Sequence, residues 1–82
     1  MDLNAALILV RIVDKGSFTG AAQDLGMTKA TVSRRIAELE QRLGVRLLYR
    51  STRQLTLTEA GEQYYLRCSK AVDELAQAEL MV

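Results

Sequence analysis

The sequence contains no histidine, no proline and no tryptophan, and its one cysteine is Cys68. Without histidine, and with a single cysteine, the chain cannot build a His or Cys metal cluster or a Ser/His/Asp triad. One cysteine also excludes an intrachain disulfide, which fits a reducing cytoplasm. The carboxylates are scattered, and no glycine-rich phosphate loop accompanies them. We therefore expect no metal site and no enzymatic activity.

Long hydrophobic runs are also missing. The apolar run at residues 5–10 is too short to span a membrane, and it lacks the basic region and cleavage site of a signal peptide. The 82 residues are 49% hydrophobic and 26% charged, which is typical of one small globular domain. These features predict a soluble, cytoplasmic protein with no membrane partner.

The net charge is small but unevenly distributed. At +1, with a pI of about 7.9, the chain is less basic than most nucleic-acid-binding domains. Residues 28–54, however, contain seven basic and two acidic residues, a net charge of +5. The other 55 residues contain four basic and eight acidic residues, a net charge of −4. The middle of the chain therefore suits a polyanionic partner.

Two helices are predicted before residue 26. Apolar residues at helical spacing predict a first helix over residues 3–15, which ends at Gly16. Its apolar surface is wider than one face, so this helix is either central in the core or also in contact with a partner. A short second helix is predicted over residues 18–25, with Ser17 or Thr19 as its N-cap. The residues that predict the first helix are Leu3, Leu7, Val10 and Val13, and those that widen its apolar surface are Ile8, Leu9 and Ile12.

A tight turn connects the second helix to a third. Gly26 can adopt positive φ, Met27 is apolar enough to reach the core, and Thr28 can cap the next helix. Residues 28–43 then form an amphipathic pattern with a small, basic face opposite the apolar stripe. This order is a helix-turn-helix, although αα-corners that bind no DNA use the same parts. The stripe predicted to face the core is Val32, Ile36, Leu39 and Leu43.

Two short strands and a long helix are predicted for the remainder. Strand candidates at residues 47–49 and 55–57 predict a β-hairpin, or wing, and Thr58 can cap a last helix of about twenty residues. The predicted fold class is mainly α. It is a winged helix-turn-helix, with a three-helix core and a short β-hairpin wing in residues 1–57, followed by a long C-terminal linker helix for dimerisation in residues 58–82. The predicted dimer seam is Tyr65, Cys68, Val72 and Leu75, at heptad-like spacing, and Cys68 is there either inert packing or a redox sensor.

Three segments together resemble the N-terminal DNA-binding domain of LysR-type transcriptional regulators. They are GSFTGAAQDLGMT at residues 16–28, TVSRRIAELEQRLGVRLLYRSTR at residues 31–53 and LTLTEAG at residues 55–61. The resemblance covers essentially the whole chain. It departs from the family at Lys29-Ala30, where Gln-Pro or Ser-Pro is common, so the helix start lacks a proline that would fix its first φ.

The resemblance implies a homodimer joined through the long last helix, with a tetramer possible in the full-length protein. It also implies an effector-binding domain that is absent from this chain, so the chain is either an excised domain or a naturally short protein. A small-molecule effector would bind that missing domain, and no cofactor is expected in this one.

DNA recognition requires side chains that read base edges and others that hold phosphates. Arg34 can offer its guanidinium fork to guanine, unless it is a solvated surface residue. Ala30 either lies against a thymine methyl group or leaves room for the groove. Arg53 is long enough for a narrow, A/T-rich minor groove. The predicted base contacts are Lys29, Ala30, Ser33 and Arg34; the predicted backbone contacts are Thr28, Thr31, Arg35, Arg50, Ser51 and Thr52. Arg42 and Arg46 either contact phosphate, remain in solvent or pair with Glu38 and Glu40.

The predicted function is sequence-specific binding of double-stranded DNA by a transcriptional regulator. The recognition helix would enter the major groove and the wing would lie at the minor groove, and a dimer would read an inverted repeat. The alternative is a winged-helix module that binds another protein and no DNA. The basic middle of the chain and its arginine-rich wing argue against that alternative.

Overall fold

The computed structural model describes residues 1–50 and 54–82. These residues form helices α1 (Leu3–Lys15), α2 (Phe18–Leu25) and α3 (Lys29–Leu43), strands β1 (Leu48–Arg50) and β2 (Leu55–Leu57), and helix α4 (Glu59–Leu80). The predicted order α-α-α-β-β-α is confirmed. No helix in the described ranges is both long enough and apolar enough to cross a membrane.

Side-chain caps define where the helices begin. The Ser17 hydroxyl accepts a hydrogen bond from the Gly20 amide at 2.9 Å, so Ser17 is the N-cap of α2. Thr28 caps α3 by accepting from the Thr31 amide at 3.1 Å. Gly26, between these two helices, has a φ of 66°, a left-handed conformation that glycine adopts without a steric penalty. The turn of the helix-turn-helix is therefore built as the local sequence predicts.

The core lies where α1, α2 and α3 meet and is closed by the residues that lead into the wing. On α3, Val32, Ile36 and Leu39 are buried as predicted, whereas Leu43 is 41% exposed. Leu43 occupies the last turn of α3, beyond the end of the core, so the predicted stripe is one residue too long. The fully or nearly fully buried apolar residues are Ala5, Ile8, Leu9, Val10, Ile12, Ala21, Ala22, Val32, Ile36, Leu39, Leu47 and Leu48.

Helix α1 buries only part of the set that marked it in the sequence: Val10 is buried and Val13 packs against the core. Ile8, Leu9 and Ile12 are at most 1% exposed, whereas Leu3 is 66% exposed and Leu7 is half-buried. Because α1 is apolar on more than one side, the helical period alone does not distinguish its core face from its outer face. The wide apolar surface therefore serves the core on one side and leaves apolar side chains towards α4 on the other.

Strands β1 and β2 pair antiparallel, with Leu48 opposite Leu57, Tyr49 opposite Thr56 and Arg50 opposite Leu55. The first strand begins at Leu48, one residue later than predicted. Leu47 is outside the ladder because its backbone has other partners: its amide donates to the Glu40 carboxylate and its carbonyl accepts from the Thr58 amide.

The start of α4 is fixed against the segment before β1. The Thr58 hydroxyl donates to the Arg46 carbonyl at 2.6 Å, and the Thr58 amide donates to the Leu47 carbonyl at 3.0 Å. Gly61 is buried, and a β-carbon at this position would lie 2.0 Å from the Leu47 carbonyl oxygen. The LTLTEAG segment therefore encodes a cap and a close backbone approach, which anchor α4 to the rest of the domain.

Candidate nucleic-acid interface

The first two turns of α3 present the predicted base-reading residues to solvent. Lys29, Ala30 and Arg34 are exposed and Ser33 is half-buried. Ala30 and Arg34 lie about 160° and 200° round the helix from the buried Val32. The capping residue is also accessible: the exposed Thr28 hydroxyl donates to the Thr31 hydroxyl at 2.9 Å while accepting from the Thr31 amide. Small and cationic side chains therefore occupy the part of α3 that projects from the molecule.

A cleft of about 390 Å³ brings α2, α3 and the wing together. Lys29 and Ser33 line it from α3, and Arg50 lines it from the wing. Predicted DNA-binding residues of α3 and of the wing, which are distant in the sequence, therefore share one surface. The cleft also contains Thr19 from the start of α2 and the exposed Tyr49, which were not predicted as contacts.

Arg34 forms an ion pair with Glu38 on the same helix, with 3.0 Å between Nη1 and Oε1. The Arg34 side chain is 61% exposed, so solvent screens the pair strongly. Exposed pairs of this spacing contribute about 0.3–0.5 kcal/mol, which is small beside a bidentate contact to guanine. The pair is therefore weak enough for Arg34 to exchange Glu38 for a base edge.

Arg35 projects away from the cleft. Its guanidinium lies 4.0 Å from the Asp2 carboxylate, beside the first turn of α1. The structure thus separates Arg35 from Lys29, Ser33 and Arg50, although all four were predicted to contact the same DNA.

Arg50 connects three elements. Its Nη2 lies 3.2 Å from Oε1 of Glu40 on α3, and its guanidinium carbon lies 5.8 Å from the centre of the Phe18 ring on α2. Glu40 therefore pairs with Arg50. The sequence had offered Arg42 and Arg46 as partners for Glu40, and neither of them forms this ion pair. The other Glu40 oxygen accepts from the amides of Leu47 and Leu48, at 2.7 and 3.2 Å. Sequence reasoning missed these Glu40 contacts. Its position four residues after Ile36 indicates only that Glu40 lies beside the buried stripe.

Ser51, Thr52 and Arg53 lie outside the described residues. Their assignments, two phosphate contacts and a minor-groove contact, stay predictions.

A second concave surface, the α1/α4 groove, lies on the outer side of these two helices. It has a volume of about 480 Å³, and Leu3, Leu7, Cys68, Val72 and Leu75 are among its lining residues. Three of the four predicted seam residues therefore face one apolar groove. Burial raises the pKa of the Cys68 thiol, which disfavours the reactive thiolate and supports a packing role.

Tyr65, the fourth predicted seam residue, makes a contact within the chain. Its hydroxyl donates to the Asp14 carboxylate at 2.5 Å, which links α4 to the last turn of α1. This hydrogen bond to Asp14 raises the pKa of Tyr65, because it stabilises the protonated phenol.

A family model described as "Bacterial regulatory helix-turn-helix protein, lysR family" matches residues 3–62, from the start of α1 into α4. The chain belongs to the LysR family. It is 53% identical over 81 residues to an HTH-type transcriptional regulator of Xanthomonas campestris pv. campestris (strain 8004), an alignment that covers 99% of this chain and 24% of that protein. The LysR-family chain thus spans about a quarter of the length of the curated relatives it matches.

Solved structures share the fold of this LysR-family chain. The crystal structure of a BenM_DBD/catB site 1 DNA complex has a TM-score of 0.90 and 33% sequence identity, covering 99% of this chain and 91% of that one. The full-length structure of the Vibrio cholerae virulence activator AphB, a member of the LTTR protein family, has a TM-score of 0.91 and 40% identity, covering 99% and 28%. The predicted family, the winged helix-turn-helix fold and the DNA-binding, transcription-regulating class are confirmed.

Proposed function

We propose that this chain reads a specific double-stranded DNA sequence with the first two turns of α3 in the major groove. The observation that carries the proposal is that α3 buries Val32, Ile36 and Leu39 while it exposes Lys29, Ala30 and Arg34 and places Ser33 in the cleft shared with the wing. A helix fixed by its inner face presents its outer side chains in a constant arrangement, which base readout requires. The BenM_DBD complex with catB site 1 DNA supports the same use of the fold.

Phosphate contacts would set the affinity and the register of α3 in the groove. Thr28 and Thr31 offer hydroxyls at the N-terminus of α3, where free amides also attract anions. Arg50 would approach a phosphate from the wing side of the cleft. Arg35, Ser51 and Thr52 are the other proposed backbone contacts, and Arg53 is the proposed minor-groove contact.

The proposed binding unit is a homodimer on an inverted repeat. The α1/α4 groove supports it, because an apolar groove beside a long exposed helix suits the same helix of a second copy. Twofold symmetry would place two recognition helices about 34 Å, one DNA turn, or a multiple of it, apart. We further propose that a small-molecule effector acts through a domain outside these residues, and that the protein works in the cytoplasm.

Selection of bound duplexes from a random library tests this function directly. The expected product is one half-site, repeated with inverted symmetry at a fixed spacing. A library that shows no enrichment, together with no salt-dependent binding to any duplex, would contradict the proposal. That result would favour a winged-helix module that binds another protein.

A further inference from the structure

Glu40 is an acidic residue on the recognition helix, which on charge alone should oppose DNA binding. Its side chain is only 13% exposed, unlike that of Glu38, which is 58% exposed two residues earlier. Both Glu40 oxygens have donors, with one oxygen receiving the Leu47 and Leu48 amides and the other receiving Arg50. The carboxylate is therefore committed to contacts inside the domain.

These contacts join α3 to the wing at its first strand. Leu48 is the first residue of β1 and Arg50 is its last, so Glu40 holds both ends of that strand. Arg50 in turn lies over the Phe18 ring at the start of α2. On the opposite side, the Leu47 carbonyl accepts from Thr58 at the start of α4. Leu47, the residue before β1, is thus held between α3 and the start of α4.

We propose that Glu40 is a positioning residue for DNA binding. It holds Arg50 and the start of the wing at a constant distance from α3, so that the wing meets the DNA backbone when the recognition helix is in the groove. This inference rests on the proposed function. It makes a counter-intuitive prediction, since removal of this negative charge should weaken binding to a polyanion.

The test compares Glu40→Gln with Glu38→Gln, which removes the same charge from the same helix. Affinity is measured by fluorescence anisotropy on the selected duplex over a range of salt concentrations. Glu40→Gln is expected to bind about tenfold more weakly, because Arg50 loses its charged partner. The plot of log affinity against log salt should become less steep by about 0.9, the amount expected for the loss of one phosphate contact. Glu38→Gln should bind at least as tightly as the unmodified chain.

A double-mutant cycle with Arg50→Gln separates positioning from a general loss of structure. If Glu40 acts through Arg50, Glu40→Gln should cost less than about twofold when Arg50 is already replaced. A merely structural role predicts the same loss in both backgrounds and an unchanged salt slope. Additive losses, or a Glu40→Gln variant that binds as tightly as Glu38→Gln, would overturn the proposal.

Two further measurements keep the outcomes distinct. In the free protein, the amides of Leu47 and Leu48 should exchange hydrogen faster in Glu40→Gln than in the unmodified chain, while the Ile36 amide should not change. Rates at Leu47 and Leu48 that match those of the unmodified chain would refute the positioning role. If the unmodified chain binds no duplex, the proposed function fails while this exchange result still stands. If Glu40→Gln does not fold, Arg50→Lys keeps the charge but removes the guanidinium fork, and undiminished affinity in that variant would refute the inference.

Discussion

Arg34 combines two properties that suit a base-reading residue: its side chain is accessible, and its ion pair with Glu38 is weak enough to give up. Its partner Glu38 is itself exposed, so exchange of the ion pair for a guanine edge costs little. Arg35, the next residue, has its guanidinium near Asp2 and away from the cleft. Two adjacent arginines on one helix therefore have different surroundings, and Arg34 is the one that we propose for sequence readout.

Arg34→Ala should weaken binding to the selected duplex by about 5- to 150-fold, the range expected for one lost bidentate base contact. Binding to a shuffled duplex should fall much less, because only one positive charge is removed. Lys70→Ala, which removes one charge from the exposed surface of α4, is the matched control. An unchanged ratio of specific to non-specific affinity in Arg34→Ala would contradict the base contact.

Gly61 shows how one missing side chain sets the position of a helix. Gly61→Ala should lower the free energy of unfolding by about 2–3 kcal/mol, because the added methyl group overlaps the Leu47 carbonyl and forces α4 from the wing. Gly20→Ala is the control. Its β-carbon would lie 3.0 Å from Lys15 Cβ and from Oγ of the N-cap Ser17, a tight contact but much longer than the 2.0 Å at Gly61, so the loss of stability should be smaller. Urea unfolding at one fixed protein concentration measures both, and equal stability in the two variants would contradict the close-approach argument.

At the scale of elements, α4 has two parts with different surroundings. Its first turn is fixed to the core by Thr58 and Gly61, whereas its second half is exposed apart from the apolar groove it forms with α1. Leu75 lies in that groove and is 60% exposed. A partner helix would remove this surface from water, which is the physical basis of the proposed dimer.

Leu75→Glu should shift the protein from dimer to monomer in sedimentation velocity at tens of micromolar, because it places a charge in the apolar interface. Leu66→Glu is a matched control, since Leu66 is similarly exposed on α4 but is not among the residues that line the groove. It should remain dimeric. An unmodified chain that is already monomeric at this concentration would contradict the proposed dimer.

The local signals in the sequence predict the helix-turn-helix well because each boundary depends on nearby residues. Ser17 and Thr28 cap their helices through bonds that span three residues, and Gly26 occupies the left-handed turn between them. Helical spacing alone correctly placed Ala30 and Arg34 on the outward face, where both are exposed.

Features that depend on distant residues were not predictable in the same way. Glu40 binds amides seven and eight residues away, across a change from helix to strand, and no local pattern indicates that contact. The sequence also did not show which face of α1 lies in the core. That face is set by α2 and α3, which pack against only one side of an α1 that is apolar on several. Tyr65 matched the heptad spacing of α4, yet its hydroxyl donates to Asp14 in the last turn of α1, within the same chain.

At the scale of the whole molecule, charge and shape divide the chain into two working surfaces. The basic segment at residues 28–54 includes α3 and the first strand of the wing, whereas acidic residues predominate elsewhere. The apolar α1/α4 groove lies outside that basic segment. One surface thus suits a polyanion and the other suits a second copy, and α4 connects the two through its contacts at Arg46 and Leu47.

The most direct measurement compares the affinity of the unmodified protein for its selected inverted repeat with its affinity for a shuffled duplex of the same composition, across a salt series. We expect the inverted repeat to bind at least about 10³-fold more tightly near physiological salt, and both affinities to fall as salt is raised. Equal affinity for the two duplexes at every salt concentration would contradict sequence-specific recognition by α3.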